Sequence, residues 1–280
     1  MLTAAVNFTK AQHARGVLRA MDNPALRALS APTANTPLPR PEAPMHPPAP
    51  SQPSTAAPRL YLALTLALIG MALVPTVWPG IDLTAARWFA PPDGQVQIKD
   101  WWWVQAINLY IPAFFRGLIF VAIGAWLLAT WGPRWKQWRL PLAFFILSGA
   151  LGPGLLVNAG FKDNWQRARP YEVQNFGGAQ QFTRAGVVTD QCNNNCSFVS
   201  GHVACGFFFA SLMLVQPRRR RIWALAGCTA GALIGFSRMA DMAHWLSDAL
   251  WAAPITWACS WLVWRALVWA YRERAVGADG

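Results

Sequence analysis

The stretch Leu60–Trp78 reads LYLALTLALIGMALVPTVW, 19 residues without a charge. A helix crosses the roughly 30 Å hydrocarbon core of a bilayer with about 20 apolar residues, so this segment is long enough to span it. Five further apolar blocks follow: Phe114–Trp131, Leu140–Phe161, Val199–Val215, Ile222–Phe236 and Ala249–Tyr271. The fourth and fifth are short and need their flanks to complete a crossing. Arg116 and Arg265 lie near block ends, where arginine can snorkel to the interface. The expected fold is all-α, an integral-membrane bundle of six helices over residues 59–274.

The bulk figures agree with that reading. The chain has 280 residues, 54% of them hydrophobic by type and only 13% charged. Soluble domains carry about 25% charged residues. With a mean hydropathy of +0.24, neither an ordinary soluble globular protein nor a wholly disordered chain fits. Residues 1–58 hold 11 of the 22 prolines and are expected to form a disordered tail. Within it, Ala4–Leu29 also admits a surface-lying amphipathic helix. No apolar run follows the first basic residues, so no cleaved signal peptide is expected. Residues 275–280 form a short C-terminal tail.

The net charge is +12, and its distribution orients the bundle. Arg134, Lys136 and Arg139 separate blocks two and three, Arg218–Arg221 separate blocks four and five, and Arg272 and Arg274 follow block six. In a six-span model that whole side and the tail, with Arg59 and Arg265 included, hold 16 Lys and Arg against 4 Asp and Glu. The positive-inside rule makes that side, with both termini, cytoplasmic. The basic excess therefore reports orientation, and no nucleic-acid partner is expected. Tryptophans near block ends, among them Trp101–Trp103, Trp131, Trp135, Trp138, Trp245 and Trp269, read as an interfacial aromatic belt.

Three short segments fall on the opposite, outer side. Lys162-Asp163-Asn164-Trp165-Gln166-Arg167-Ala168-Arg169-Pro170 ends block three. Lys162 and Arg169 are seven apart, so two helical turns would put them on one face, and Pro170 would end that helix. Fixed cations on the side that normally lacks them suit an anionic ligand, with Arg as a bidentate phosphate donor. Ser200-Gly201-His202 opens block four, where free helix N–H groups can bind an anion. A capping Ser beside an interfacial His is the plainer alternative. Ser237-Arg238 precedes His244, and Asp248 stands four residues further on, one above the other if the segment is helical. Asp248 could then fix the imidazole tautomer and leave the other nitrogen free to attack. A structural His–Asp pair is the alternative. The chain has four histidines, and the two outside the tail both lie in these segments.

Together these segments resemble the signature of the type 2 phosphatidic acid phosphatase superfamily of integral-membrane lipid phosphatases. That signature runs Lys, six residues, Arg-Pro; Pro-Ser-Gly-His; and Ser-Arg, five residues, His, three residues, Asp. Lys162 with Arg169-Pro170, then Ser200-Gly201-His202, then Ser237-Arg238 with His244 and Asp248 match it in order. Val199 stands where the family has proline. The resemblance implies that His244 attacks phosphorus to form a phosphohistidine, Asp248 stabilises its imidazolium and His202 protonates the leaving oxygen. Lys162, Arg169, Ser200, Gly201 and Arg238 would bind the phosphoryl oxygens. It implies no metal and no cofactor. It also implies a lipid phosphate substrate in the bilayer of a bacterial inner membrane, reached from the periplasmic face. Lipid A comes first on the altered Val199 position, followed by undecaprenyl diphosphate and other phospholipid phosphates, with phosphoryl transfer in place of hydrolysis also open. A non-enzymatic lipid-binding or transport protein is the reading from another class. No obligatory protein partner is evident.

Among the five cysteines, Cys205, Cys228 and Cys259 fall in apolar blocks. Cys192 and Cys196 flank Asn193–Asn195 in the outer loop before Ser200. On an oxidising side they could pair as a disulfide; a zinc site would need a further ligand pair that the neighbourhood lacks.

Overall fold

The computed structural model describes residues 56–90 and 98–278. Most of the expected tail, Ala4–Leu29 included, lies outside the described residues. Among the described residues seven α-helices longer than a single turn carry the fold: α1 Ala56–Val77, α2 Gly80–Arg87, α3 Trp102–Trp131, α4 Arg139–Gly149, α5 Gly201–Phe208, α6 Arg220–Ala240 and α7 Leu246–Ala278. There are no strands among the described residues. The protein is an all-α integral-membrane bundle.

Helices stand at all six expected crossings, but they are unequal. Four segments are long and apolar enough to cross a membrane: Arg59–Val77, Trp102–Trp131, Pro133–Lys162 and Pro217–Ala240. At the fourth block α5 gives way to a 3-10 stretch, Phe209–Met213. The resulting apolar helix, Gly201–Met213, falls short of the about 20 residues a crossing needs. α7 is long, yet five tryptophans and Arg265 make it more polar. It also continues to Ala278, where a tail from residue 275 was expected. The second crossing begins at Trp102 and so takes in most of the Trp101–Trp103 cluster.

The outer surface of the bundle is apolar. Leu62 and Leu66 of α1 and Leu109, Phe120, Val121 and Leu128 of α3 are exposed. In water such a face would be unstable, whereas hydrocarbon is its natural surrounding.

The core forms where small residues let helices approach. Gly227, Gly231 and Gly235 repeat every fourth residue along α6, the spacing that lays small residues on one helix face. A Cβ on Gly227 would lie 2.2 Å from the backbone nitrogen of Ala210, and one on Gly206 would lie 2.8 Å from the Gly231 Cα. Backbone contact this close admits no side chain. Tyr61 ties α1 to α7 by donating its hydroxyl hydrogen to the Trp257 carbonyl at 2.6 Å. Trp257 in turn donates to the Phe207 carbonyl at 2.7 Å.

Two local features position the outer end. After Gly149 the backbone winds as a π-helix over Ala150–Lys162. Pro153 lacks the N–H that a regular ladder needs, and the Asn158 side chain donates to its carbonyl at 2.8 Å. On the outer side Ala86, Ala168, Val173, Met242 and Trp245 make a second small core. Trp245 is 1% exposed and donates to the Ala168 carbonyl at 2.9 Å. It is thus a core residue and does not belong to the aromatic belt.

Candidate active site

The end of the π-helical stretch, the start of α5, the end of α6 and the start of α7 meet at one end of the bundle. The three motif segments sit there, but their internal geometry differs from the helical spacing argument. The chain leaves the helix at Trp165, and Gln166 takes a left-handed φ of 49°. Lys162 and Arg169 therefore do not share a helix face. Instead, Asn195 of the outer loop joins them. Lys162 Nζ donates to Asn195 Oδ1 at 2.9 Å, and Arg169 Nε and Nη2 donate to the Asn195 carbonyl at 3.1 and 2.5 Å. Pro170 opens a 3-10 turn, Pro170–Glu172, rather than closing a helix.

Ser200 is the N-cap of α5, with Gly201 and His202 in the first turn. The Ser200 hydroxyl is buried and makes no cap bond. A Cβ at Gly201 would come within 2.7 Å of Asn158 Oδ1, so the first turn is pressed against the π-helical stretch. His202 Nε2 lies 3.0 Å from the Asn108 carbonyl. A carbonyl only accepts, so Nε2 carries the proton and Nδ1 is left for another partner.

His244 and Asp248 do not stack on a helix face either. His244 lies in the connection before α7, and Asp248 is in its first turn. Asp248 Oδ2 accepts from the Trp245 N–H at 3.0 Å and from Ser197 Oγ at 2.5 Å. This helix-capping arrangement pulls the carboxylate back toward its own helix start. His244 Nδ1 consequently stands 3.7 Å from Asp248 Oδ2, beyond hydrogen-bond reach. Neither ring nitrogen of the buried His244 has a hydrogen-bond partner among the described residues. Burial is the main cause that holds the His244 pKa well below 6.5; Asp248 opposes this, and Arg238, Lys162 and Arg169 reinforce it. The imidazole is neutral at pH 7, with a nitrogen lone pair available.

Arg238 ends α6 and pairs through Nη1 with Asp241 Oδ2 at 3.1 Å, while its Nε is buried without a partner among the described residues. Lys162, Arg169 and Arg238 are all buried. So the eight expected residues gather as three cations, a hydroxyl without a hydrogen-bond partner among the described residues, a helix start, two histidines and the Asp248 carboxylate. No group of three or more metal-binding side chains occurs among the described residues.

Several participants escaped the sequence reading. Arg167 is fully buried and donates through Nη1 to Asp248 Oδ1 at 2.5 Å and through Nη2 to Asp82 Oδ2 at 2.9 Å. It also lies over the Trp245 ring at 5.2 Å. Asp82, also fully buried, accepts from the Ser247 N–H and hydroxyl at 2.8 and 2.5 Å. An acid soon after the first apolar run and a second arginine in the first motif were the available signals, but nothing in the spacing linked them. Asn108, Asn195 and Ser197 gave no signal at all. Cys192 and Cys196 form a disulfide with Cα atoms 5.7 Å apart, beside Asn195.

Residues 138–272 match the family model of the PAP2 superfamily. The chain is 38% identical over 175 residues to the lipid A 4'-phosphatase of Rhizobium leguminosarum, covering 59% of this chain and 72% of that protein. It is 35% identical over 139 residues to the lipid A 4'-phosphatase of Francisella tularensis subsp. novicida, covering 49% of this chain and 62% of that protein. A third, from Rhizobium etli, is 38% identical over 120 residues, 42% of this chain and 45% of its own length. The match thus spans less than two thirds of the Francisella and Rhizobium etli proteins. No solved structure matches the chain.

Proposed function

The chain belongs to the PAP2 superfamily, and from that premise we propose that it is a membrane lipid phosphatase that removes a phosphate from lipid A. The observation that carries this reading is His244, buried and neutral, with unbonded ring nitrogens amid Lys162, Arg169 and Arg238. Similarity to three lipid A 4'-phosphatases supports the substrate.

In this mechanism the phosphate sits between the α5 start and the three cations. Ser200 Oγ and the Gly201 N–H add donors, and the cations hold charge that grows on the equatorial oxygens. A His244 nitrogen attacks phosphorus and the bond to the lipid oxygen breaks. His202, protonated on Nδ1 once the phosphate dianion is bound, passes that proton to the leaving oxygen while Nε2–H stays on the Asn108 carbonyl. Asp248 draws toward Nδ1 as the ring becomes cationic; catalytic hydrogen bonds often tighten only with substrate bound. Water then attacks the phosphohistidine, giving up its proton to His202 and releasing phosphate. Asn195 holds Lys162 and Arg169 in register until the anion arrives.

The clustering of basic residues on the side away from the site supports a site that faces the periplasm of a bacterial inner membrane. The Cys192–Cys196 bridge fits an oxidising side. The test is phosphate release by the purified protein from lipid A, undecaprenyl diphosphate and phosphatidic acid. Release from lipid A is expected, and His244→Ala should abolish it while the folded fraction stays unchanged. Full activity in that variant would remove His244 as nucleophile; release from undecaprenyl diphosphate alone would remove lipid A.

A further inference from the structure

Beside the phosphate-binding cluster lies a cleft of about 910 Å³. Its walls include Arg169 of the phosphate-binding cluster and Ala243, the residue before His244, so it borders the proposed reaction centre. The remaining lining is mixed. Tyr171 and Phe176 supply aromatic rings, Asn175 an amide, Asp241 a carboxylate and Lys99 an ammonium. Tyr171 is 51% exposed. The volume is at the upper end of the about 300–1,000 Å³ usual for small-molecule sites, and far more than a phosphate needs.

The walls are braced. The Tyr171 N–H donates to the Met242 carbonyl at 3.3 Å, joining the Pro170–Glu172 turn to the loop before His244. The Gln180 N–H donates to the Glu172 carbonyl at 2.8 Å, and the Gln174 N–H donates to the Gln180 carbonyl at 2.9 Å. Asp241 is held by Arg238 through Oδ2 alone among the described residues, which leaves Oδ1 facing no partner of that pair. Phe176 rests on Trp245, ring centroids 6.2 Å apart.

An exposed tyrosine ring and a half-buried phenylalanine ring next to an amide and a carboxylate match one ligand chemistry well. The apolar C–H face of a sugar ring covers an aromatic ring, while its hydroxyls need donors and acceptors at the edges. A polyisoprenyl chain would offer nothing to Asn175 and Asp241, and a diacylglycerol would leave most of the cleft wet. We propose that this cleft is a saccharide subsite holding the sugar that bears the scissile phosphate, so that the enzyme selects phosphorylated glycolipids. Tyr171 is the principal stacking face, and Asn175 and Asp241 receive the hydroxyls. The proposal rests on the phosphatase reading for its orientation, since Arg169 would grip the phosphate at the cleft mouth.

The test uses the full-length protein in detergent. Binding of fully dephosphorylated lipid A and of diacylglycerol is measured by calorimetry for wild type, Tyr171→Ala, Tyr171→Trp and Asn175→Ala. The glycolipid should bind at least about tenfold more tightly than diacylglycerol. Tyr171→Ala and Asn175→Ala should remove that preference, and Tyr171→Trp should keep it. Where phosphate is released, the same two alanine variants should raise KM for lipid A about tenfold and leave phosphatidic acid unchanged. Equal binding of the two lipids by wild type, or an unchanged preference in both alanine variants, overturns the subsite. Absence of phosphate release from any lipid overturns the phosphatase reading separately, because the binding comparison requires no turnover.

Discussion

Replacing Arg167 by methionine should destabilise the outer half of the protein before it has any direct effect on phosphate binding. The guanidinium is fully buried and lies 2.9 Å from Asp82 and 2.5 Å from Asp248, both also fully buried. Methionine fills much of the same space but leaves two carboxylates facing each other with no cation between them. Removing one partner of a buried ion pair costs about 3–5 kcal/mol, a large share of the roughly 5–15 kcal/mol that holds a domain together. Part of that loss is offset by a proton. Burial already raises the Asp82 pKa, against the pull of Arg167, so without Arg167 the carboxyl protonates more readily still. A group whose folded pKa lies above its unfolded one loses stability as pH rises. The defect of Arg167→Met should therefore be smaller near about pH 5 than near pH 8. In detergent the thermal midpoint should fall by roughly 10 °C at pH 8. Adding Asp82→Asn should restore about half of it, because the amide keeps an oxygen for the Ser247 donors without a charge. A fall of under about 2 °C, or no rescue by Asp82→Asn, would refute the idea that Arg167 neutralises this pair.

Other outcomes follow from the same geometry. The depressed His244 pKa keeps the proposed nucleophile unprotonated below pH 6.5, so the acid limb of kcat should lie well under that value; a limb at or above 6.5 in a pH–rate profile would count against it. Gly227→Ala places a methyl 2.2 Å from backbone nitrogen in Ala210, and it should cost about 1–3 kcal/mol by forcing α6 away from the 3-10 stretch after α5, read as a lower thermal midpoint. Opening the Cys192–Cys196 bridge, by reductant or by paired serines, should lower stability by about 2 kcal/mol. Because Asn195 lies within that loop and receives Lys162 and Arg169, it should also raise KM more than it changes kcat.

The sequence by itself determined the membrane surroundings and picked out the candidate site residues. Uncharged runs such as Leu60–Trp78 can only be stable in hydrocarbon, and the motif spacings picked out the two histidines, the cations and Asp248. The same reasoning went astray wherever it assumed that spacing meant helix. Lys162 and Arg169 were read onto one helical face, but a left-handed Gln166 ends the helix between them and Asn195 joins them across the loop. His244 and Asp248 were read one turn apart, yet Asp248 caps its own helix and leaves His244 at 3.7 Å. The GxxxG face of α6 was visible in the letters, though which helix it meets was not.

Tertiary structure alone decided the second layer: Asp82 and Arg167, 85 residues apart, beneath the Asp248 carboxylate, and the cleft beside it. Local patterns carry information over one or two helical turns, because only there does backbone geometry tie position in sequence to position in space. Contacts between distant segments depend on how whole helices pack, and a buried charge reveals its partner only when the chain has closed around both.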